Sequence, residues 1–257
     1  MVLTVDIGNS NIVAGGLAPE KTYFVERLST NLYKTSLEYA VSFKHILELN
    51  QIDAGSISGS IICSVVPPLT NTIREALERI TGAAPLVVGP GIKTGLNIKM
   101  DNPAQLGSDL VTDAVAAIHE YGAPLLIFDL GTATTMSAID KSGNYIGGAI
   151  IPGLKVSLDS LSSRASQLPR IGLDRPKRII GTNTIECMKS GAIYGNACMI
   201  DGMIDRAMEE LKGPVKVIST GGLARFITPC CNHPIIYDEI LLLKGLLLIY
   251  QKNRTNS

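Results

Sequence analysis

The sequence predicts an α/β chain with mixed sheets, organised as two related lobes. Three observations lead there. Short apolar, β-branched runs come in groups of two or three and alternate with helical stretches, as in mixed sheets covered by helices. An apolar run followed by Asp, an apolar residue and Gly occurs twice, at Asp6-Ile7-Gly8 and at Asp129-Leu130-Gly131, an offset of 123 residues (129 − 6). The chain has 257 residues, 46% of them apolar, which can bury a sizeable core in one large domain or two lobes.

In chain order, residues 2–5 and 12–14 read as a hairpin, with the turn signal Gly8-Asn9 between them. Residues 22–28 alternate as a third strand. Leu37, Ala40, Val41, Ile46 and Leu47 recur at helical spacing, so 37–49 reads as an amphipathic helix. Residues 60–66 are an apolar strand stopped by Pro67-Pro68, and 70–80 a helix with Gly82 near its end. Residues 85–88 form a short strand and 89–100 a glycine-rich loop. Asn102-Pro103 with Gln105 reads as a helix start, because Asn caps, Pro suits the first helical position and Gln reaches back. That helix runs to about His119, and Gly107 is placed to delay its start. Residues 124–129, 132–139 and 144–151 are three strands. After Pro152-Gly153 a helical stretch reaches about Ser166. Residues 168–181, with Pro169, Pro176 and several basic side chains, read as a loop. Residues 184–211 form a long helix rich in small residues. A strand at 215–219 ends at Thr220-Gly221-Gly222, and 239–250 is a closing apolar helix.

Lys+Arg and Asp+Glu both number 23, so neither a nucleic-acid surface nor a charged tail is indicated. Aromatic residues make up 5% and Trp is absent, which leaves few platforms for stacked bases. The cysteines (Cys63, Cys187, Cys198, Cys230, Cys231) are odd in number and form no C-x-x-C, so neither a disulfide framework nor a zinc site is expected. No run approaches the roughly 18 apolar residues of a membrane helix, and Asp6 interrupts the early apolar run, so no signal peptide is read. A soluble, reducing, cytoplasmic setting follows. His45, His119 and His233 lack partners at ligand or triad spacing, and nothing suggests covalent catalysis.

The repeated turn suits a nucleotide phosphate. A tight Gly turn lets backbone N–H groups approach phosphate oxygens with no Cβ in the way. Asn9, Ser10, Thr132, Thr134 and Thr135 add donors. A carboxylate cannot touch phosphate directly, but it can hold a cation that does. No G-x-x-x-x-G-K-[ST] occurs, so a P-loop is excluded and the hairpins must take its place.

Paired D-x-G-(N/T) hairpins with a later T-G-G resemble the actin-like ATPase superfamily of acetate and sugar kinases, Hsp70 and actin. Within it the chain is similar to the type III pantothenate kinases. The matching stretches are DIGNSNIVAGG (6–16), NPAQLGSDL (102–110), FDLGTATT (128–135), GGAIIPGL (147–154), GTNTIECMKSGAIYG (181–195), STGG (219–222) and DEILLLKGLLLIY (238–250). They fall in order across nearly the whole chain.

The resemblance implies two ribonuclease H-like lobes, 1–117 and 118–257, each a mixed sheet flanked by helices, with the nucleotide in the cleft between them. It implies transfer of the γ-phosphoryl of ATP to pantothenate, the first step toward coenzyme A. Asp6, Ile7, Gly8, Asn9, Ser10, Asn11, Ile12 and Val13 match the first phosphate-binding segment, with Asp6 holding Mg²⁺ through water. Thr132 would contact ATP phosphate, and Gly221 and Gly222 would pass under the adenosine. Gly107, Ser108, Asp109 and Leu110 match the pantothenate-binding G-x-D segment, with Asp109 as general base. Asp129 matches the ligand of a monovalent cation, K⁺ or NH₄⁺. Thr184 matches a substrate contact made in the family's homodimer. The small residues Ser190, Gly191, Ala192, Gly195, Asn196 and Ala197 would let backbones pack closely at a seam. Two positions depart from the family: Leu110 stands where Arg is usual, and Met100, a further substrate contact, where Tyr is frequent. Lys155, Arg164, Arg170 and Arg175 are open as replacements for holding the substrate carboxylate. Two rival readings are another small-molecule kinase of the same fold and a nucleotide-binding regulator without phosphoryl transfer.

Overall fold

The computed structural model describes residues 1–254. Eleven strands and seven α-helices follow one another as β1 (Val2–Ile7), β2 (Asn11–Ala18), β3 (Lys21–Ser29), α1 (Ser36–Leu49), β4 (Gly59–Ser64), α2 (Pro67–Thr81), β5 (Leu86–Val87), β6 (Asn97–Ile98), α3 (Ser108–Tyr121), β7 (Leu125–Leu130), β8 (Ala133–Ile139), β9 (Asn144–Pro152), α4 (Leu154–Arg164), α5 (Thr184–Leu211), β10 (Lys216–Thr220), α6 (Ala224–Ile227), β11 (Ile236–Tyr237) and α7 (Leu241–Arg254). They form two compact units. One holds Met1–Leu96, Asp101–Ala116 and the chain from Ile240 onward; the other holds Asn97–Met100 and Ala117–Glu239.

The first unit carries a five-stranded sheet in the order β3-β2-β1-β4-β5. β1, β2 and β3 are antiparallel neighbours, whereas β4 runs parallel to both β1 and β5. Both faces of β1 are buried, and Thr4, buried on the face it shares with Val2 and Asp6, donates its hydroxyl to the Gly15 carbonyl at 3.0 Å. Leu3, Val5 and Ile7 join the core with Phe43 of α1 and Leu69, Ile73 and Leu77 of α2. Val2, of opposite parity, joins Ile61, Cys63 and the α7 residues Leu243, Leu246 and Ile249. This second core explains why the closing helix belongs to the first unit. The boundary expected at 117/118 put it with the second half.

The second unit carries a six-stranded sheet in the order β11-β10-β7-β8-β9-β6. Strand for strand, β9-β8-β7-β10-β11 repeats β3-β2-β1-β4-β5 with the same senses. The parity repeats as well. Leu126, Phe128 and Leu130, 123 residues beyond Leu3, Val5 and Ile7, face the core built on Ile193, Ile200 and Ile204 of α5. The internal repeat read from two D-x-G turns therefore extends through both sheets.

Local chemistry sets most boundaries. Thr35 and Glu38 form a reciprocal capping box at α1. Gly82 closes α2 in the left-handed region at φ 71°. Asn183 caps α5 by accepting the Glu186 N–H at 3.0 Å. The expected start of α3 is corrected. Pro103–Gln105 makes only a 3₁₀ turn without a side-chain cap from Asn102, and α3 begins after Gly107, at Ser108. β6, β11 and α6 are two to four residues long, too short for periodicity to register. Among the described residues, no helix is long and apolar enough to cross a membrane.

Candidate active site

In the first unit the site starts from the β1–β2 hairpin. Ile7 pairs with Ile12 and Asp6 with Val13, and the Gly8 N–H donates to the Asn11 carbonyl at 3.0 Å. Thr30 ties the turn from behind. Its hydroxyl donates to the Gly8 carbonyl at 2.6 Å and its N–H to the Ser10 carbonyl at 3.1 Å. Asn9, Ser10 and Asn11 are left exposed at the tip.

The parallel ladder sets Cys63 of β4 opposite Asp6. Register partners point to the same face of a sheet. The Cys63 thiol donates to the Ser108 hydroxyl at 3.2 Å, and that hydroxyl donates to the Ser64 carbonyl at 3.2 Å. Ser108 is the first residue of α3, so the end of β4 anchors the turn that carries Asp109. The Asp109 carboxylate accepts the Leu110 N–H at 2.9 Å, and the Thr112 hydroxyl donates to the Ser108 carbonyl at 2.6 Å. Asp113, one turn on, is buried. Burial pushes the Cys63 thiol well above the usual thiol range; Asp6 adds to this, the Ser108 hydrogen bond opposes it, and Asp109 and Asp113 add further. Asp6 and the turn that carries Asp109 thus meet at one neutral thiol. Two glycines set the spacing. A Cβ on Gly107 would overlap Asp109 Oδ1, and one on Gly245 of α7 would overlap the Thr112 carbonyl.

The second unit repeats the arrangement with changes. Leu130 pairs with Thr134, so the loop spans residues 131–133, one residue shorter than 8–11. The Gly131 N–H donates to the Ala133 carbonyl at 3.0 Å. Asp129 stands opposite Thr135 on β8 and Thr220 on β10. Gly221 follows with φ +88°; a Cβ there would overlap Asp129 Oδ1 and lie 2.8 Å from both N and C of Leu130. Glycine is required at this position on both counts. Gly153, just before α4, presses in the same way on the backbone of Gly131 and Thr132. Thr132 is exposed at the turn, and Gly222 is half-buried.

The remaining expected residues belong to other features. Thr184 opens α5 and lines a groove of about 750 Å³ with Leu154, Leu158 and Leu161 of α4 and Cys187 and Met188 of α5. Met100 is half-buried beside the 3₁₀ turn, and Leu110 is half-buried on α3. Lys155, Arg164, Arg170 and Arg175 are all exposed in the second unit. Of the small residues on α5, Ser190, Ala192 and Ala197 are buried. Gly191 is exposed and so is Gly195, and a Cβ added at either would have nothing within 4 Å.

Among the described residues, no three His, Cys, Asp or Glu side chains form a ready-made metal cage. A lone carboxylate such as Asp6 still suits Mg²⁺, which keeps several waters and takes phosphate oxygens as further ligands. Asp129 faces Thr135, whose buried hydroxyl makes no hydrogen bond among the described residues. Both are oxygen donors of the kind a hard monovalent cation takes.

Cys63 is the residue that motif reading passed over. The available signal was register: it lies beside Asp6 on the neighbouring strand, as Thr135, already read as a donor, lies beside Asp129.

Comparison with known proteins fixes first the class and then the family. A Baf family protein from Campylobacter jejuni is 19% identical with a TM-score of 0.60, covering 98% of this chain and 99% of that one. A ROK family glucokinase from Streptomyces griseus, in complex with glucose and AMPPNP, is 14% identical with a TM-score of 0.51, covering 98% and 99%. These likenesses show the fold, which is shared with a ROK family glucokinase. Residues 2–206 match the model of the type III pantothenate kinases. A type III pantothenate kinase from Bacillus cytotoxicus is 43% identical over 253 residues, 98% of this chain and 97% of that protein. The chain belongs to the type III pantothenate kinase family.

Proposed function

We propose that the chain transfers the γ-phosphoryl group of ATP to the primary hydroxyl of pantothenate, yielding 4′-phosphopantothenate and ADP at the start of coenzyme A synthesis. Family membership supports the reaction, and the observation that carries the site assignment is the link from Asp6 through its register partner Cys63 to Ser108, the residue before Asp109. Phosphoryl transfer needs little covalent chemistry from the protein; it needs in-line positioning and charge neutralisation.

Asp109 orients the pantothenate hydroxyl and takes its proton as the oxygen bonds to the γ-phosphorus. Gly107, Ser108, Leu110, Met100 and Thr184 line the substrate. The turn from Asp6 to Val13 and the turn at Thr132 bind the ATP phosphates, and Gly221 and Gly222 leave room for adenosine. Mg²⁺ held at Asp6 supplies charge neutralisation on the phosphates, and K⁺ or NH₄⁺ held at Asp129 fixes the second turn. Leu110 cannot pair with the substrate carboxylate, so a cationic side chain from Lys155, Arg164, Arg170 or Arg175 takes that part. A homodimer in the cytoplasm completes the reading. Its seam is supported by exposed Leu161, Ile179, Ile180 and Ile185 near the outward Gly191 and Gly195.

The test is ADP formation with and without pantothenate and K⁺, for wild type and Asp109→Asn. Pantothenate-dependent turnover that falls about 10²- to 10⁴-fold in the variant is expected. Turnover independent of pantothenate contradicts the substrate, and an unaffected variant contradicts the base.

A further inference from the structure

Cys63 takes no part in the chemistry above, yet it lies at its centre. We propose that Cys63 is a positioning residue, coupling the strand that carries Asp6 to the helix turn that carries Asp109 through the hydrogen bond it donates to Ser108. The inference rests on the reading of Asp109 as the base.

The link is short and made of ordered parts. The parallel ladder fixes Cys63 beside Asp6, and the Val65 N–H extends it by donating to the Ile7 carbonyl at 3.1 Å. Two consecutive residues at the end of β4 then hold Ser108, Cys63 by its thiol and Ser64 by its carbonyl. Ser64 is itself fixed, because its side chain accepts the Val66 N–H at 3.2 Å and the Thr70 hydroxyl at 2.8 Å. Within α3 the Thr112 hydroxyl holds the Ser108 carbonyl, and Gly245 of α7 packs on the Thr112 carbonyl. The 3₁₀ turn before α3 lacks a side-chain cap, Gly107 intervenes, and Asp109 spends one oxygen on the Leu110 N–H. The two bonds from β4 therefore tie the first residue of that turn to the strand beside Asp6.

The chemistry of the link suits a thiol. A charged group beside Asp6, Asp109 and Asp113 would compete with cation and substrate for the carboxylates. A thiol is small, buries as an apolar group and still donates one weak hydrogen bond.

Positioning and packing predict opposite orders for two variants. Cys63→Val keeps apolar volume and removes the donor. Cys63→Ser keeps the donor and buries a more polar group, which costs stability in an apolar cluster. We expect Cys63→Val to lower kcat about tenfold or more, with KM for ATP changed less than about twofold. Cys63→Ser should recover most of that rate despite a lower melting temperature. Ser108→Ala, which removes both bonds to the end of β4, should lower kcat at least as much as Cys63→Val, and the double variant should be no worse than Ser108→Ala alone. Equal kcat in Val and Ser variants, Val ahead of Ser, or additive losses overturn the proposal. If Cys63→Val does not fold, Cys63→Ser against Ser108→Ala carries the comparison. Asp109→Asn, assayed alongside, separates the two ideas. A normal rate there overturns the base and the positioning with it, whereas a dead Asp109→Asn beside a normal Cys63→Val overturns the link alone.

Discussion

Adding one methyl group at Gly107 tests how strictly the site depends on the Asp109 carboxylate. Gly107 is not in the left-handed region, so alanine brings no backbone strain. The new Cβ meets only its neighbours: it overlaps Asp109 Oδ1, lies 3.5 Å from Asp109 Cγ and 4.0 Å from Leu110 Cγ. Rotating the carboxylate relieves the overlap. That rotation gives up the 2.9 Å bond from the Leu110 N–H, a loss of about 1 kcal/mol. Reduced freedom of the unfolded chain returns about 0.4–1 kcal/mol. The net change stays within about 1 kcal/mol, a shift of under roughly 4 °C for a chain of this size. The effect on turnover is far larger, because a displacement of about 1 Å at a reacting group costs on the order of 10²-fold. Gly107→Ala should therefore melt near wild type and lose about 10²-fold in kcat, read by coupled ADP release and thermal denaturation. Full activity at an unchanged melting temperature would refute the placement of the base. A fall of about 10 °C or more would refute the claim that the clash is local.

Gly221→Ala differs in kind, since its Cβ meets backbone as well as Asp129 and its φ is +88°. It should cost about 2 kcal/mol or more and weaken activation by K⁺, measured by thermal melts and a K⁺ titration; wild-type behaviour in both would contradict the packing of the T-G-G loop on Asp129. Cysteine reactivity should divide by burial. Desolvation pushes Cys231 up to about 12, with Asp201, Cys230 and Cys198 adding to it, and burial holds Cys63 as a thiol. At pH 8 roughly 10⁻⁴ of Cys231 is thiolate, so iodoacetamide should label exposed Cys187 and Cys198 first, as read by mass spectrometry. Labelling of Cys231 at the Cys187 rate would contradict its burial.

The fold was legible because its strongest signals are periodic or repeated. β1 and β7 are mostly apolar runs, and their shared D-x-G ending announced a duplication that the sheet orders carry through. The long helix at 184–211 was read from its run of small residues, and the structure adds the Asn183 cap that starts it. Elements of two to four residues left no period to read. The start of α3 misled because Asn102-Pro103 has the residue types of a helix start, yet Asn102 makes no side-chain cap and Pro103 opens only a 3₁₀ turn. The side chains that motifs name were visible as residue types. Their supports were not, because Cys63 meets Asp6 and Ser108 only once β4 pairs with β1, and register is a tertiary fact. Likewise α7 joins the first unit through Leu243, Leu246 and Ile249, a pairing of chain ends that local patterns cannot encode.

Phosphorylation of pantothenate with Asp109 as base is best tested by identifying the product. Mass spectrometry and ³¹P NMR would follow incubation with ATP, Mg²⁺ and K⁺ and a panel of pantothenate, a hexose and acetate. One phosphorylated product is expected, 4′-phosphopantothenate, formed by wild type and reduced about 10²-fold or more by Asp109→Asn. A phosphorylated hexose or acetyl phosphate in its place, or ATP bound and left intact with every acceptor, would contradict that assignment.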